Sequence, residues 1–318
     1  TVAVVKDEQG NKLAEEKFNN GEENFGNFMQ IYKPEETKVV IESTSVWEYI
    51  YEILDKMNYC VKLANPVKTR AIAEARIKTD SIDASTLADL LRANLVAESY
   101  IPPKDIRRLR EIVRERRTFV KQTTQIKNRI HSILIRRGVI LPMSTLCKSA
   151  IVWIKEKFKD DNVMLRYVNL LGYYEIEFKA IKNSIDNLAE NSGDAKLLMT
   201  IPGVAQIRAI DIIAEIGEIN RFSSADKLCS YAGLVPSIKQ SGNTIHFGRL
   251  VKQSSKALKW NLIEASWSIV KTKKSNSLQD FYIRLAKKKG KQKAICATAR
   301  KLCCVVYAML TNQKEFRN

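Results

Sequence analysis

Histidine is nearly absent, with two in 318 residues. The six cysteines (Cys60, Cys147, Cys229, Cys296, Cys303, Cys304) never fall at C-x-x-C spacing. A zinc site is therefore not expected, and reduced core thiols of a cytosolic protein are. No apolar run approaches the roughly 18 residues of a membrane span, so no membrane partner is expected. A secretory leader is not expected either. Residues 1–5 (TVAVV) already lie in an apolar run without a Met, which reads as a strand cut at its start. Acid is scarce beyond residue 100. Residues 1–100 hold 12 Lys+Arg against 17 Asp+Glu, and the remainder 41 against 18. An acidic front joined to a strongly basic remainder points to an acid-lined site working on a polyanion held elsewhere, with nucleic acid as the expected partner.

Residues 1–100 read as an α/β domain. Residues 1–5 form a strand, 7–11 a turn in which Gly10 supplies a positive φ, and 12–18 the returning strand. A helix follows over 22–32, stopped by Lys33-Pro34. Residues 38–41 read as a buried strand that delivers Glu42 at its C-terminal end. A helix over 45–58 and a strand over 59–64 complete what the alternation predicts to be three layers. A last helix opens around residues 77–84 and runs to about 97. Asp80 and Asp83, three apart, share one face of its first turn. With Glu42 they give three carboxylates able to converge at the sheet's C-terminal edge, and an oxygen-only cluster suits Mg²⁺. Capping and the helix dipole alone also favour acids in a first turn, so spacing leaves both readings open.

Residues 101–196 read as a basic helical arm. After Pro102-Pro103, Ile106, Leu109, Val113, Val120, Ile126, Ile130, Ile133 and Leu134 follow a near-heptad pattern. Residues 104–137 carry twelve Lys/Arg and three acids. Like charges on one helix repel, and a phosphate backbone is the natural counter-charge, so Arg107, Arg108, Arg114, Arg117 and Arg129 are candidate nucleic-acid contacts. Helices over 149–158 and 162–191 follow. The apolar stripe of the second (Met164, Val168, Leu171, Phe178, Ile181, Ile185, Leu188) is a packing seam within the chain or between subunits. His131, inside the basic helix, is a bystander.

Residues 197–318 hold a mainly α region. Ile201-Pro202-Gly203-Val204 between two helical patterns matches a helix-hairpin-helix, in which Gly203 and the next helix's N-terminus approach a phosphate without reading sequence. An ordinary helical hairpin explains the same residues. After a helix over 222–232, residues 239–243 form a polar loop. It is either a plain turn, or Gly242 admits a phosphate and Ser241 presents its hydroxyl for attack. Serine needs a base or a metal for that; His246 could assist, but a metal on the acidic domain is the better candidate. Residues 252–270 read as a helix with Leu258, Leu262, Ala265 and Trp267 on its apolar side, and Lys252 at its start is a candidate phosphate contact. Residues 284–301 carry eight Lys/Arg and no acid, so Lys287, Lys288, Lys289 and Lys291 read as a second phosphate contact or a solvated basic loop.

In order and spacing these pieces resemble the DEDD-type transposases of bacterial insertion sequences, the family numbered 110 among them. The resemblance is carried by Glu42 after an apolar strand, Lys78-Thr79-Asp80-x-x-Asp83-Ala84, IPGVAQIRAIDIIAEIG over 201–217, YAGLVP over 231–236, Ser241-Gly242 and AICATARKL over 294–302. It implies an RNase H-like (RuvC-like) catalytic domain over 1–100, a coiled-coil-like arm over 101–196 and a transposase domain over 197–318. It also implies Ser241 as nucleophile, Glu42, Asp80 and Asp83 as three of four metal-binding acids, and a structured non-coding guide RNA as partner. A homodimer or tetramer acting on element ends and target DNA, in a prokaryotic cytoplasm at the nucleoid, follows from the same likeness. The fourth acid belongs on an opening strand before a segment like residues 1–5, and Asp7, in the turn, is a poor substitute. Ser254 and Lys259 stand where relatives often have Gly and Arg. The expected activity is DNA recombination through a serine–DNA link. The rivals are a metal-dependent junction nuclease that uses water, and a non-catalytic nucleic-acid-binding protein.

Overall fold

The structure, a computed structural model, describes residues 1–72, 79–241, 244–273 and 275–317. The chain divides into two compact units, Thr1–Ile101 and Pro102–Asn318. In the first, β1 (Val2–Lys6) and β2 (Lys12–Lys17) pair antiparallel. Their turn is closed by Asp7, whose carbonyl accepts the Gly10 N–H (3.1 Å) and whose carboxylate accepts the Asn11 N–H (2.7 Å). The Asn11 side-chain amide, more than any other neighbour, holds the Asp7 carboxyl below its ordinary pKa. Asp7 is thus committed to the turn.

Then come α1 (Glu22–Met29), β3 (Lys38–Glu42), α2 (Trp47–Lys56), β4 (Cys60–Ala64), α3 (Pro66–Ile72) and α4 (Asp80–Arg92). β3 and β4 are parallel, in register from Lys38↔Cys60 to Glu42↔Ala64. Val39, Ile41 and Val61 pack with Phe25 and Met29 of α1 and Ile50, Ile53 and Leu54 of α2. Buried Tyr59 donates its hydroxyl to the carbonyls of Met29 (3.0 Å) and Tyr32 (2.5 Å), pinning the end of α1 to the start of β4. Residues 97–99 lie along β4, with the Asn65 N–H on the Ala97 carbonyl (2.8 Å) and the Ser99 N–H on that of Leu63 (2.6 Å).

Three expectations change here. Among the described residues the strands form two separate two-stranded sheets in this unit rather than one continuous layer, and α4 packs against both β1 and β3. The helix expected to reach about 97 stops at Arg92, because Asn94 takes a left-handed conformation (φ +54°) and the Leu95 N–H closes onto the Leu90 carbonyl. α3 is an addition to the expected elements, yet its signal is in the chain. The Asn65 side chain accepts the Lys68 N–H (3.1 Å) as a cap, and Pro66 sits at the first helical position.

The second unit is built on two long helices, α5 (Lys104–Arg136) and α7 (Asn162–Asn191), joined through α6 (Lys148–Lys157). At 1.5 Å per residue α5 spans about 50 Å. Asp161 caps α7 by accepting the N–H groups of Val163 and Met164. The expected seam is intramolecular: Ile126, Ile130, Ile133 and Leu134 of α5 pack with Met164, Val168 and Leu171 of α7 and Ile154 of α6. Further along, Val113, Ile181, Ile185 and Ala189 enter a larger core with α8 (Gly193–Met199), α9 (Gln206–Ile216), α10 (Ala225–Tyr231), α11 (Lys256–Lys271) and α13 (Lys291–Asn312). The expected boundary at 196/197 therefore falls inside this unit. Among the described residues α13 is the one helix long and apolar enough to cross a membrane; here it is a core helix packed on α8, α10, α11 and α12 (Ser277–Lys289). The cysteines divide: Cys229 and Cys303 are buried, Cys296 and Cys304 partly so, while Cys60 and Cys147 are exposed, against the expectation of core thiols.

The 201–204 turn joins α8 to α9, and Gly203 (φ +88°) lies where a Cβ would come within 2.9 Å of the Ile269 backbone nitrogen of α11. Gly203→Ala should therefore lower stability by about 1–3 kcal/mol in chemical denaturation, from the left-handed backbone and the clash together. Gly138→Ala, at φ +63° with open space around it, carries only the backbone cost and should lose less. Equal losses would mean that α11 does not constrain the turn.

Candidate nucleic-acid and metal site

Glu42 is the last residue of β3 and exposed; Asp80 opens α4 and is exposed, and Asp83 is partly buried one turn on. The cap of α4 is Thr79, whose hydroxyl accepts the Ile82 N–H (3.2 Å), so neither aspartate is needed as a cap. Lys78, part of the same motif, lies outside the described residues. All three acids line one cleft of about 1210 Å³ between β1 and β3, with Val2, Val4, Val39, Ile41 and Leu87 as apolar wall. Polar contacts tie α4 to the hairpin: Lys6 Nζ to Asp89 at 2.5 Å and the Ser81 hydroxyl to Glu15. The Ser81 contact holds the start of α4 against the hairpin and the Asp89 contact its last turn. The donors are oxygen only and suit a hard divalent cation. Among the described residues, however, no three His, Cys, Asp or Glu side chains close on one point as a metal-binding group.

Ser241 is exposed at the end of a strand rather than inside a loop. β5 (Pro236–Ser241) and β6 (Thr244–Leu250) form an antiparallel hairpin in which Ser241 pairs with Thr244 and Lys239 with His246. By strand alternation the Ser241 and His246 positions share one face. Gly242 and Asn243 lie outside the described residues. The missed signal is a Gly-Asn pair between two runs containing β-branched residues, a two-residue hairpin pattern. The root of the hairpin is tied to the core. The Val251 N–H reaches the Val235 carbonyl (3.1 Å), the Ser255 N–H reaches that of Tyr231 (2.9 Å), and the Leu234 N–H reaches that of Cys229 (2.9 Å). Ser254 and Lys259, the two departures from the family pattern, both pack at this root. They flank Gly233, and Lys259 Nζ donates to the Val251 carbonyl (3.0 Å).

Two family models match the chain. One, the Transposase IS116/IS110/IS902 family, matches residues 195–282. The other, the DEDD transposase model of the IS110 group, matches residues 1–136. Together they span more than half of the chain. The chain belongs to the IS110 family of DEDD transposases. Among its relatives is the transposase for insertion sequence element IS1111A of Coxiella burnetii, 24% identical over 88% of this chain and 79% of the relative. The pilin gene-inverting protein of Moraxella bovis is 28% identical over 90% and 83%. The transposase for insertion sequence element IS1328 of Yersinia enterocolitica is 20% identical over 87% and 85%. A DEDD transposase domain implies an RNase H-like fold for the first unit, and the family suggests a divalent metal ion, with DNA as partner.

In this transposase the basic residues of α5 divide by burial. Arg108, Arg114 and Arg129 are exposed. Arg107 is buried, and Arg117 is ion-paired at 2.7 Å with buried Glu215 of α9. Arg110 donates to the backbone carbonyls of Ala214 (2.7 Å) and Glu215 (3.1 Å), capping the C-terminal turn of α9. Asp211, one turn earlier and wholly buried, sits 4.0 Å from Arg116 and accepts no hydrogen bond among the described residues. Burial raises its pKa, against the pull of Arg117, Arg116 and Arg208. Asp211 and Glu215 lie inside the run that carries the family likeness, and charged residues in an otherwise apolar helix were the available signal. Gly203 is exposed at the α8–α9 turn, and Lys252 is exposed just before α11. Lys287, Lys288 and Lys289 form the last turn of α12, with Lys291 opening α13 beyond Gly290, and all four are exposed.

Changing Lys287, Lys288, Lys289 and Lys291 together to Gln should weaken duplex binding. The slope of log K against log salt should flatten by about 0.9 for each phosphate that the protein no longer neutralises. Fluorescence anisotropy across a salt series reads this directly. An unchanged slope would make the cluster a solvated loop.

Proposed function

We propose that this transposase cuts and rejoins DNA through a covalent link to Ser241. The observation that carries the reading is the sharing of one cleft by Glu42, Asp80 and Asp83, in a chain whose other unit exposes Ser241 at a strand end. Ser241 Oγ attacks a backbone phosphorus, the Oγ–P bond forms and the P–O3′ bond breaks. The hydroxyl proton ends on the departing 3′ oxygen. One phosphodiester replaces another, so the step needs no external energy source, and a 3′-hydroxyl from a partner strand reverses it. His246, whose position shares the strand face of Ser241, would take up the proton in transit. Mg²⁺, the cation these oxygen donors suit, would neutralise charge on the scissile phosphate. Glu42, Asp80 and Asp83 would hold it.

A fourth acid on an extended strand completes the set in the family pattern. The strands that border the cleft, β1 and β3, are each paired on one side only among the described residues, and its walls are apolar. The exposed residues of α5, the α8–α9 turn with Gly203, Gly242 beside the serine, and the lysines at 252 and 287–291 would hold the phosphate backbone. A structured guide RNA and DNA at both element ends and target share this basic surface. Exposed Val163, Leu170, Tyr173 and Ile176 on α7 form an apolar row suited to association of copies into a dimer or tetramer. Work at the nucleoid, in the cytoplasm, follows from a DNA substrate.

On a labelled element-end substrate the unmodified protein should give a denaturant-resistant protein–DNA adduct. Ser241→Ala should give none, and Asp80→Asn or Asp83→Asn should lower its yield by about 10²-fold or more, the usual scale for losing one transition-state charge partner. An adduct that persists in Ser241→Ala would refute the serine. Hydrolysed DNA without any adduct would favour the water-using nuclease. RNA that copurifies with the protein, and activity lost after ribonuclease treatment, would support the guide.

A further inference from the structure

Three cysteines that the proposed DNA chemistry does not use meet inside the second unit. Cys229 lies on α10, and Cys303 and Cys304 are neighbours on α13, which packs against it. Cys229 Sγ is 3.7 Å from Cys304 Sγ, and it donates to the Arg300 carbonyl, also at 3.7 Å. Cys229 and Cys303 are buried, whereas Cys304 is partly open to solvent. Arg300, one turn before Cys304, is held by Asp226 of α10 at 3.1 Å. We propose that Cys229 and Cys304 form a reversible thiol–disulfide site whose oxidation fastens α10 to α13 at the root of the Ser241 hairpin.

The chemistry suits the geometry. A hydrogen bond from the Cys303 thiol, and after it one from Cys304 and the charge of Arg300, bring the Cys229 thiol down to about 7 in spite of its burial. Burial pushes Cys304 up to about 11. Cys303 is pushed up by its hydrogen bond to Cys229 and by burial. Cys229 is thus the member that carries thiolate, and Cys304 the member that solvent reaches. The oxidant is a small peroxide, with hydrogen peroxide as the simplest. The Cys304 thiol passes its proton to the Cys229 thiolate beside it, at 3.7 Å, and the Cys304 thiolate so formed attacks a peroxide oxygen; the O–O bond breaks, and the departing hydroxide takes that proton back from Cys229, leaving a sulfenic acid and one water. The Cys229 thiolate then attacks the sulfenic sulfur; the S–S bond forms, the S–O bond breaks, and hydroxide leaves to take up the proton that Cys229 had released. Overall two thiols and one peroxide become one disulfide and two waters. Each sulfur loses one electron and each peroxide oxygen gains one.

The link would be felt at the hairpin. The sulfurs must close from 3.7 Å to a bond of about 2.05 Å, which turns or shifts the end of α10. The Cys229 carbonyl holds the Leu234 N–H, and Gly233 between them needs its left-handed φ of +66°. Tyr231, on the same helix, holds Ser255. Any shift of α10 therefore reaches both anchors of the strand pair that ends in Ser241.

The test uses the full chain, treated with hydrogen peroxide and then with a thiol reductant. Intact mass should fall by two hydrogens on oxidation and return on reduction. Peptide mapping without reductant should join the Cys229 peptide to Cys304. The link should vanish in Cys304→Ser and Cys229→Ser and persist in Cys303→Ser, with thermal unfolding confirming that each variant is folded. Should Cys229→Ser not fold, Cys304→Ser, at the partly exposed position, carries the test. Oxidation confined to exposed Cys60 and Cys147, or a link from Cys229 to Cys303 instead, would overturn the proposal.

Discussion

The second unit depends on how α5 is fastened to α9. Arg117 meets the buried Glu215 carboxylate at 2.7 Å, Arg110 takes the last carbonyls of the same helix, and Ser255 Oγ reaches the other Glu215 oxygen at 3.2 Å. A buried charge left without its partner costs about 3–5 kcal/mol. This cluster therefore sets the register of a 33-residue helix against a core that apolar packing alone would hold with less specificity. It also joins α11, through Ser255, to the same point. Since Ser255 holds Tyr231 as well, the chain of contacts runs from the basic helix to the foot of the serine hairpin. The arginines on the inner side of α5 are committed to this clamp. Those on its outer side remain for phosphate.

Much of this architecture is legible in the sequence because its signals are local. The bounds of α5 and α7 follow from apolar periodicity, and the 7–11 turn follows from its polar run with Gly10. The errors fall where local preference meets a tertiary partner. A one-residue left-handed turn at Asn94 ends α4 early and frees residues 97–99 to lie along β4, a pairing that periodicity cannot foresee. Polar side chains give residues 239–243 the look of a loop, whereas backbone pairing with 244–250 makes residues up to Ser241 a strand. For the site, spacing leaves Glu42, Asp80 and Asp83 open between helix-start acids and metal ligands, and the family resemblance singles them out; in the structure all three line one cleft. The buried pair Asp211 and Glu215 is not visible to a search for acids as ligands, because these two answer arginines from a helix about a hundred residues earlier.

The charge division of the chain takes on a physical sense in this arrangement. The acidic unit keeps its carboxylates at the mouth of one apolar-walled cleft, where a cation would lower their mutual repulsion. The basic unit places its exposed cations along a long helix and at the joint of α12 and α13. Such a division suits strand exchange, where DNA must be held firmly throughout while bonds are exchanged at near-equal energy.

In the proposed mechanism, serine and acids act on the same phosphate. A structure of the protein with element-end DNA and Mg²⁺ tests it most directly. The account requires Ser241 Oγ in line with, or bonded to, a backbone phosphorus whose oxygens share a cation with Glu42, Asp80 and Asp83. DNA seated with its scissile phosphate at the acids and a water in line, while Ser241 stands away from it, would contradict the account.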